Sequence, residues 1–508
     1  METQLVVLGG GPGGYAAAFM AADLGLQVTL VDAEPRLGGA CLLRGCIPSK
    51  ALLHVAKVIA DARHATDWGV SFAAPKIDLD AMRARKEKVI AALSGGLAQL
   101  AKRRNVQVIR ARGVFEDSQT LRLEQAGDKP PAADRLRFQH CILATGSSPT
   151  RLPALALPTP RAMDSTAALD LPEVPESLLV VGGGYIGLEM GTVYAVLGSR
   201  VSVVEMTDGL LPGVDRDLVK PLHKRLEKDF AAIWLNAKVV AMADKKDSIE
   251  VTFEGSGVRD QGPEDRVQAS GVGGQGPTTQ HPTTDNRQLT TSTRRFGRVL
   301  VAVGRRPNSA GLGLEHTKVQ VDSRGFVMVD PQRRTADPHI LAIGDVASEP
   351  MLAHKAAHEG KIAAEVLAGH EAAVFSPRAI PAVVFTDPEI AWAGLTEGEA
   401  KKEGRAVEVA QFPWAASGRA QSVGRTEGLT KWIIDPESRC VLGCGIVGAG
   451  AGELIAEAVL AIEMGATVED VAQSIHPHPT LSETLGFAAE VYLGTATDIY
   501  RPKSPRKA

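Results

Sequence analysis

One design occurs twice in this chain: a short apolar strand, a glycine-rich turn, a helix of small residues, and a second apolar strand that ends in an acid. The first copy runs from Gln4 to Leu8, through Gly9-Gly10-Gly11-Pro12-Gly13-Gly14, along an Ala-rich stretch to Leu24, and then from Val28 to Val31 and Asp32. The second runs from Leu178 to Val181, through Gly182-Gly183-Gly184-Tyr185-Ile186-Gly187, on to Leu197, and then from Val201 to Val204 and Glu205. A single glycine motif is weak evidence, since glycines also mark ordinary turns. Two copies, each between a strand and a helix, imply an α/β chain with two dinucleotide sites. The glycines let the backbone approach a pyrophosphate, and the helix N-terminus offers unpaired N–H groups. The closing acid hydrogen-bonds the adenosine ribose hydroxyls. At the second site Glu205 would repel a 2′-phosphate, and no Arg or Lys follows before Arg216, so NAD is expected over NADP.

At 508 residues the chain is too long for one ordinary domain. The expected division is 1–150 for the first dinucleotide unit and 151–303 for the second. A central segment, 304–377, follows, then a C-terminal unit, 378–500, and a flexible tail, 501–508. Within the second unit, about 255–296 is dominated by Gly, Thr, Ser, Gln, Pro and charge. Such a stretch has little apolar surface to bury and is expected to be a flexible loop. The proline-rich run 151–175 reads as a domain junction. Ile77 to Arg104 and Ala449 to Met464 read as helices, and Val299 to Val303 as a buried strand. A net charge of −3 and 4% aromatic residues give no reason to expect a nucleic-acid partner. No apolar stretch is long enough to span a membrane. The first residues run directly into a strand with no basic leader, so the cytoplasm is the expected location.

Five cysteines stand at 41, 46, 141, 440 and 444, too few and too odd in number for a disulfide-stapled secreted protein. Cys41 and Cys46 lie in Gly38-Gly39-Ala40-Cys41-Leu42-Leu43-Arg44-Gly45-Cys46-Ile47-Pro48-Ser49-Lys50, shortly after Asp32, so they fall close to the first dinucleotide. Metal binding needs further ligands, and no Cys/His cluster lies nearby in sequence. An inert buried pair is the other alternative. A helix beginning near the pair would lower a thiol pKa through its dipole, and Arg44 is a candidate cation for the same task. Cys440 and Cys444 sit on an apolar stretch, Cys440 to Val447, and read as core packing.

The C-x4-C-x3-K segment resembles the redox-active disulfide of the class I pyridine nucleotide–disulfide oxidoreductases. The two glycine motifs match that family's FAD and NAD sites in order, and Ile343-Gly344-Asp345 resembles its second FAD motif. The resemblance covers nearly the whole chain, except the stretch near 255–295 and the tail. It implies two Rossmann-like domains, for FAD and NAD, plus a C-terminal α+β dimerisation domain, with 304–377 completing the FAD site. It also implies a wider cofactor set. This comprises Gly9, Gly11, Gly14, Asp32, Gly113, Thr145, Gly146, Ser147, Asp345, Met351, Leu352, Ala353 and His354. On the nicotinamide side it adds Gly182, Gly184, Tyr185, Ile186, Gly187, Glu205, Val239 and Gly304. Lys50 and Glu189 resemble the family's ion pair beside the flavin.

Within the family, Pro350-Met351-Leu352-Ala353-His354-Lys355-Ala356 and His476-Pro477-His478-Pro479-Thr480-Leu481-Ser482-Glu483 are similar to stretches of the dihydrolipoamide dehydrogenases. By that resemblance Cys41 exchanges with lipoyl sulfurs, Cys46 faces the flavin, His478 takes the substrate thiol proton, and Glu483 orients the imidazole. His476 is expected to be structural. Leu43 departs from the family's usual Asn, which bears on redox tuning. The implied assembly is a homodimer whose His478 and Glu483 serve the neighbouring subunit. No lipoyl-type domain precedes the first strand, so the expected substrate is a lipoyl group carried on a separate protein of a 2-oxo acid dehydrogenase or glycine cleavage system. No metal ligand set is expected. The alternatives are an NAD(P)H-dependent reductase of a small disulfide or metal ion, and a non-enzymatic flavin-binding subunit. The ending Arg-Lys-Ala disfavours the metal-ion reductase, and the intact thiols and dyad disfavour the non-enzymatic subunit.

Overall fold

The computed structural model describes residues 1–255 and 290–500. In the first unit the strand Glu2–Leu8 lies between Val28–Asp32 and Arg135–Leu143, all parallel. Val6, Val7, Leu30 and Val31 are fully buried in an unbroken apolar run, the pattern of a sheet covered on both faces. Gln107–Asp117 extends the sheet beyond Val28–Asp32, and Thr120–Gln125 bridges it antiparallel to Arg135–Leu143. On the other side of Arg135–Leu143 lies Ile340–Ala342, supplied from the 304–377 segment. That segment therefore continues the first unit instead of forming a separate body. Its helix Ala353–Leu367 packs against the first glycine-turn helix, Pro12–Asp23. Contact this close needs small residues, because a Cβ on Gly360 would strike the Gly13 carbonyl.

The second unit repeats the design with a parallel sheet ordered Ala232–Trp234, Arg200–Val204, Ser177–Val181, Arg298–Val301, Ala162–Met163. The last of these strands, and the helix Ser165–Leu169, arise from the run expected to be a junction, so much of it is built into this unit. A three-stranded antiparallel sheet, Ala237–Asp244, Ile249–Gly255 and Thr290–Phe296, covers it through packed rings of Trp234, Phe253 and Phe296. The expected loop at about 255–296 is corrected here: Thr290–Phe296 is a strand, and Thr290 stands opposite Gly255. Its β-branched threonines suit a pleated surface although its composition is polar. The rest of that expectation, 256–289, and the tail 501–508 lie outside the described residues.

The C-terminal unit is an antiparallel sheet ordered Ala382–Val384, Glu389–Gly394, Val441–Gly448, Leu429–Ile434, Glu408–Pro413. Helices Ala451–Met464 and Glu483–Leu493 back it over a core holding Trp414 and Trp432. Cys444 belongs to that core, and burial pushes its thiol up. Cys440 lies just before the strand, half-buried. Lys431, fully buried, ties this unit to the second one by reaching Asp215 and Asp217 at 2.8 Å and Glu397 at 2.6 Å. Those three acids are the one carboxylate group among the described residues close enough to hold a metal, and the Lys431 ammonium stands among them. Among the described residues no helix is long and apolar enough to cross a membrane.

Candidate active site

Cys41 lies in the short helix Gly39–Arg44, and Cys46 is the first residue of the helix Cys46–His64. Both are free thiols, hydrogen-bonded to each other. The bond from Cys41 holds Cys46 down to about 7 against the opposing effect of burial, and the Lys50 ammonium assists. Cys41 is pushed upward by the same bond and by its own burial. Cys46 is exposed, but into the cavity described below. Its place at a helix start with no side-chain cap also favours a thiolate. Arg44 turns away to Glu34 at 2.6 Å, so Lys50, one helical turn past Cys46, is the cation that serves the pair. Lys50 Nζ donates to both oxygens of buried Glu189, at 3.0 and 2.9 Å. Glu189 comes from the second glycine-turn helix, Tyr185–Leu197, so this pair joins the first two units.

The thiols open on a cavity of about 830 Å³ lined by the first glycine turn, Asp32, Gly113 and Thr145 to Ser147. Its shape can be tested against a dinucleotide through the glycines themselves. A Cβ on Gly9 would strike the Ala144 carbonyl, and one on Gly14 would strike the Gly9 carbonyl, so the protein alone requires those two. At Gly11 the nearest atom to such a Cβ is 3.7 Å away, so the fold itself leaves room for a side chain there. The turn at Gly11 therefore leaves open space that a ligand backbone could approach closely. Gly11 also caps the helix Pro12–Asp23 with no side chain across its N–H groups. Asp32 accepts from Gly10 N–H at 2.8 Å and from Glu34 N–H at 3.1 Å, while burial raises its pKa. Asp345 accepts from Ser147 Oγ at 2.5 Å.

Met351 and Ala353 reach the cavity wall, whereas Leu352 and His354 do not; His354 Nε2 pairs with the Pro381 carbonyl at 2.8 Å. Two lining residues escaped the sequence reading. Arg305 donates to Ser147 Oγ at 2.8 Å, and Asn308 Nδ2 donates to the Thr145 carbonyl at 3.0 Å. Both follow the second sheet and return to the first glycine site, a closure visible only in three dimensions.

The second turn repeats the test. Gly182 and Gly187 are forced by the Ala302 and Gly182 carbonyls, while a Cβ on Gly184 would meet nothing within 4 Å. Glu205 is buried and accepts from Gly183 N–H at 2.8 Å and from Thr207 N–H and Oγ, both at 2.8 Å. Tyr185 and Ile186 line the thiol-side cavity. Val239, on the strand Ala237–Asp244, and Gly304, after Arg298–Val301, lie outside it.

His478 Nδ1 pairs with Glu483 Oε1 at 2.9 Å, and Glu483 Oε2 accepts from Thr480 N–H at 2.7 Å. The carboxylate is buried, but the His478 side chain is 78% exposed, free to meet another surface. Neither residue lines the cavity of its own chain. His476 Nε2 pairs with Glu457 at 2.7 Å, a partner that raises its pKa.

Residues 3–360 match the family described as pyridine nucleotide-disulphide oxidoreductase, and residues 380–489 match the dimerisation domain of that family. Dihydrolipoyl dehydrogenase of Haemophilus influenzae is 48% identical over 507 residues, covering 100% of this chain and 98% of that protein. Dihydrolipoyl dehydrogenase of Geobacillus stearothermophilus is 41% identical, covering 98% of each. Among solved structures, LpdA from Mycobacterium tuberculosis superposes with a TM-score of 0.82 at 28% identity, covering 96% of this chain and 99% of that one. RclA, an HOCl-induced flavoprotein disulfide reductase from Escherichia coli solved with Cu(II), gives 0.79 at 25% identity, covering 96% of this chain and 99% of that one.

Proposed function

Because the chain belongs to the pyridine nucleotide-disulphide oxidoreductases, we propose that it oxidises dihydrolipoyl groups with NAD⁺ through the Cys41–Cys46 disulfide and bound FAD. The observation that carries this reading is the hydrogen-bonded thiol pair at the mouth of a cavity walled by a glycine turn and an acid. Residues 1–150 and 304–377 hold FAD, 151–303 hold NAD, and 378–500 pair two subunits about a two-fold axis. The substrate arrives on lipoyl-bearing proteins of 2-oxo acid dehydrogenase or glycine cleavage systems, in the cytoplasm.

His478 Nε2 takes a proton from a substrate thiol, because Glu483 holds the other ring nitrogen and fixes the tautomer. The resulting thiolate attacks Cys41 Sγ of the disulfide, and the S–S bond to Cys46 breaks. Cys46 leaves because its thiolate is the more stable of the two, and a leaving thiol of lower pKa departs faster. The second substrate thiol attacks the substrate sulfur of the mixed disulfide, closing the lipoyl ring, releasing Cys41 and giving up the proton that Cys41 receives. Cys41 then takes up that proton and donates a hydrogen bond to the Cys46 thiolate, as in the free-thiol pair seen here. FAD, held by residues of 1–150 and 304–377, would supply the two-electron relay between the thiol pair and NAD⁺.

The test is NADH formation from dihydrolipoamide by purified FAD-loaded protein, with NADP⁺ and glutathione disulfide as alternatives. Strong preference for dihydrolipoamide and NAD⁺ is expected, with Cys41→Ser abolishing turnover while FAD stays bound. Efficient glutathione disulfide reduction by NADPH, or a Cys41→Ser variant retaining more than a few per cent of turnover, would overturn the reading.

A further inference from the structure

The Lys50 ammonium has a third neighbour besides Cys46 and Glu189. It lies 4.4 Å from the centroid of the Phe385 ring, and Phe385 N–H donates to Glu189 Oε1 at 3.0 Å. Phe385 belongs to neither dinucleotide unit. It follows the strand Ala382–Val384 of the C-terminal sheet, and the turn after it is pinned by Thr386 Oγ donating to the Pro388 carbonyl at 2.9 Å and by an Arg425–Asp387 ion pair. The C-terminal unit thus fixes the backbone that carries the ring, while the ring itself packs against the apolar cluster that includes Leu52 and Ala56 of the thiol helix.

We infer that Phe385 is a positioning residue: the face of its ring holds the Lys50 ammonium against Glu189 and within electrostatic reach of Cys46. An aromatic face attracts a cation through its quadrupole, and here the ring covers one side of a Lys50 side chain that is 31% exposed while its carboxylate partner Glu189 is buried. The backbone N–H steadies the carboxylate while the ring steadies the ammonium, so one residue serves both halves of the ion pair. The charged and titratable groups facing Cys46 are Cys41 and Lys50 from the thiol helices and Glu189 and Tyr185 from the second glycine-turn helix. Phe385 adds no charge to that set. It decides where one of the charges stands, and the dimerisation unit thereby tunes a thiol in another domain.

The inference rests on Cys46 being the flavin-side thiolate, and its test reads that thiol directly. In FAD-loaded Cys41→Ser protein, the pH dependence of iodoacetamide alkylation at Cys46 is followed by mass spectrometry. Phe385 is replaced by phenylalanines of increasing ring fluorination, which keep the shape but weaken the negative ring face. The alkylation midpoint should move upward step by step. At a fixed pH below it, the rate should fall by about two- to tenfold across the series. A Lys50→Met control should shift the midpoint in the same direction. A flat fluorination series beside a shifted Lys50→Met control would overturn the role of Phe385. A control that also fails to shift would overturn the assignment of Lys50 and Cys46 beneath it. Packing alone predicts a flat series, so a graded shift supports the electrostatic role.

Discussion

Glu205 commits both carboxylate oxygens to its own backbone surroundings, one to Gly183 N–H and the other to Thr207, which fixes its negative charge where an adenosine ribose would lie. Glu205→Gln removes the charge and keeps an acceptor for Gly183, while turning its amide NH2 toward the Thr207 N–H. The NAD:NADP ratio of kcat/KM should then narrow by at least about tenfold, since juxtaposed like charges cost on the order of several kcal/mol. Parallel steady-state kinetics with both coenzymes check this, and an unchanged ratio would remove Glu205 from coenzyme choice. Residues of this kind were legible in the sequence because their chemistry sits in the side chain at a fixed distance from a glycine turn. Cys41, Cys46 and Lys50 were legible for the same reason. Phe385 was not, because it reaches Glu189 through a backbone N–H, which any residue but proline supplies. Arg305 and Asn308 were hidden differently, reaching Thr145 and Ser147 from far along the chain. Arg44 shows the reverse case, a charge beside the thiols in sequence that turns to Glu34 in space.

Elements with a strong apolar period declared themselves. The expected helix Ile77–Arg104 is Leu79–Arg103, its start fixed by Asp78, whose carboxylate accepts from Ala81 N–H at 3.0 Å. The strand Thr290–Phe296 did not, because its residues are polar and its apolar contact is confined to Phe296 at its end. It pairs along its whole length with Ile249–Gly255, and Gly255 and Thr290 are direct partners. The segment 256–289 therefore joins two adjacent antiparallel strands, a geometry that a two-residue turn can close. Replacing 256–289 with Asn-Gly should leave FAD content, NAD affinity and Tm unchanged within a few degrees. Loss of folded protein or of NAD affinity on that exchange would show that the segment contributes to the second unit.

At the scale of the molecule, the His478–Glu483 dyad stands outside the cavity on which the thiols of its own chain open. The cavity beside Cys41 contains no atom of His478, whose side chain is exposed within the unit that matches the family's dimerisation domain. In the function proposed above, a two-fold dimer would bring the dyad of one subunit to the thiols of the other. That arrangement was implied by resemblance alone, since spacing along a chain says nothing about contacts between chains. His478→Gln should lower dihydrolipoamide turnover by about 10²–10⁴ and leave FAD bound, the usual range for losing a general base. The most direct test of a shared thiol–imidazole site mixes two inactive proteins, Cys41→Ser and His478→Gln, under conditions that exchange subunits. Each mixed dimer then holds one site with both defects and one intact site, so turnover should recover to about a quarter of wild type when half the dimers are mixed. A mixture that stays inactive while native mass spectrometry shows mixed dimers would contradict the shared site and place the dyad with the thiols of its own chain.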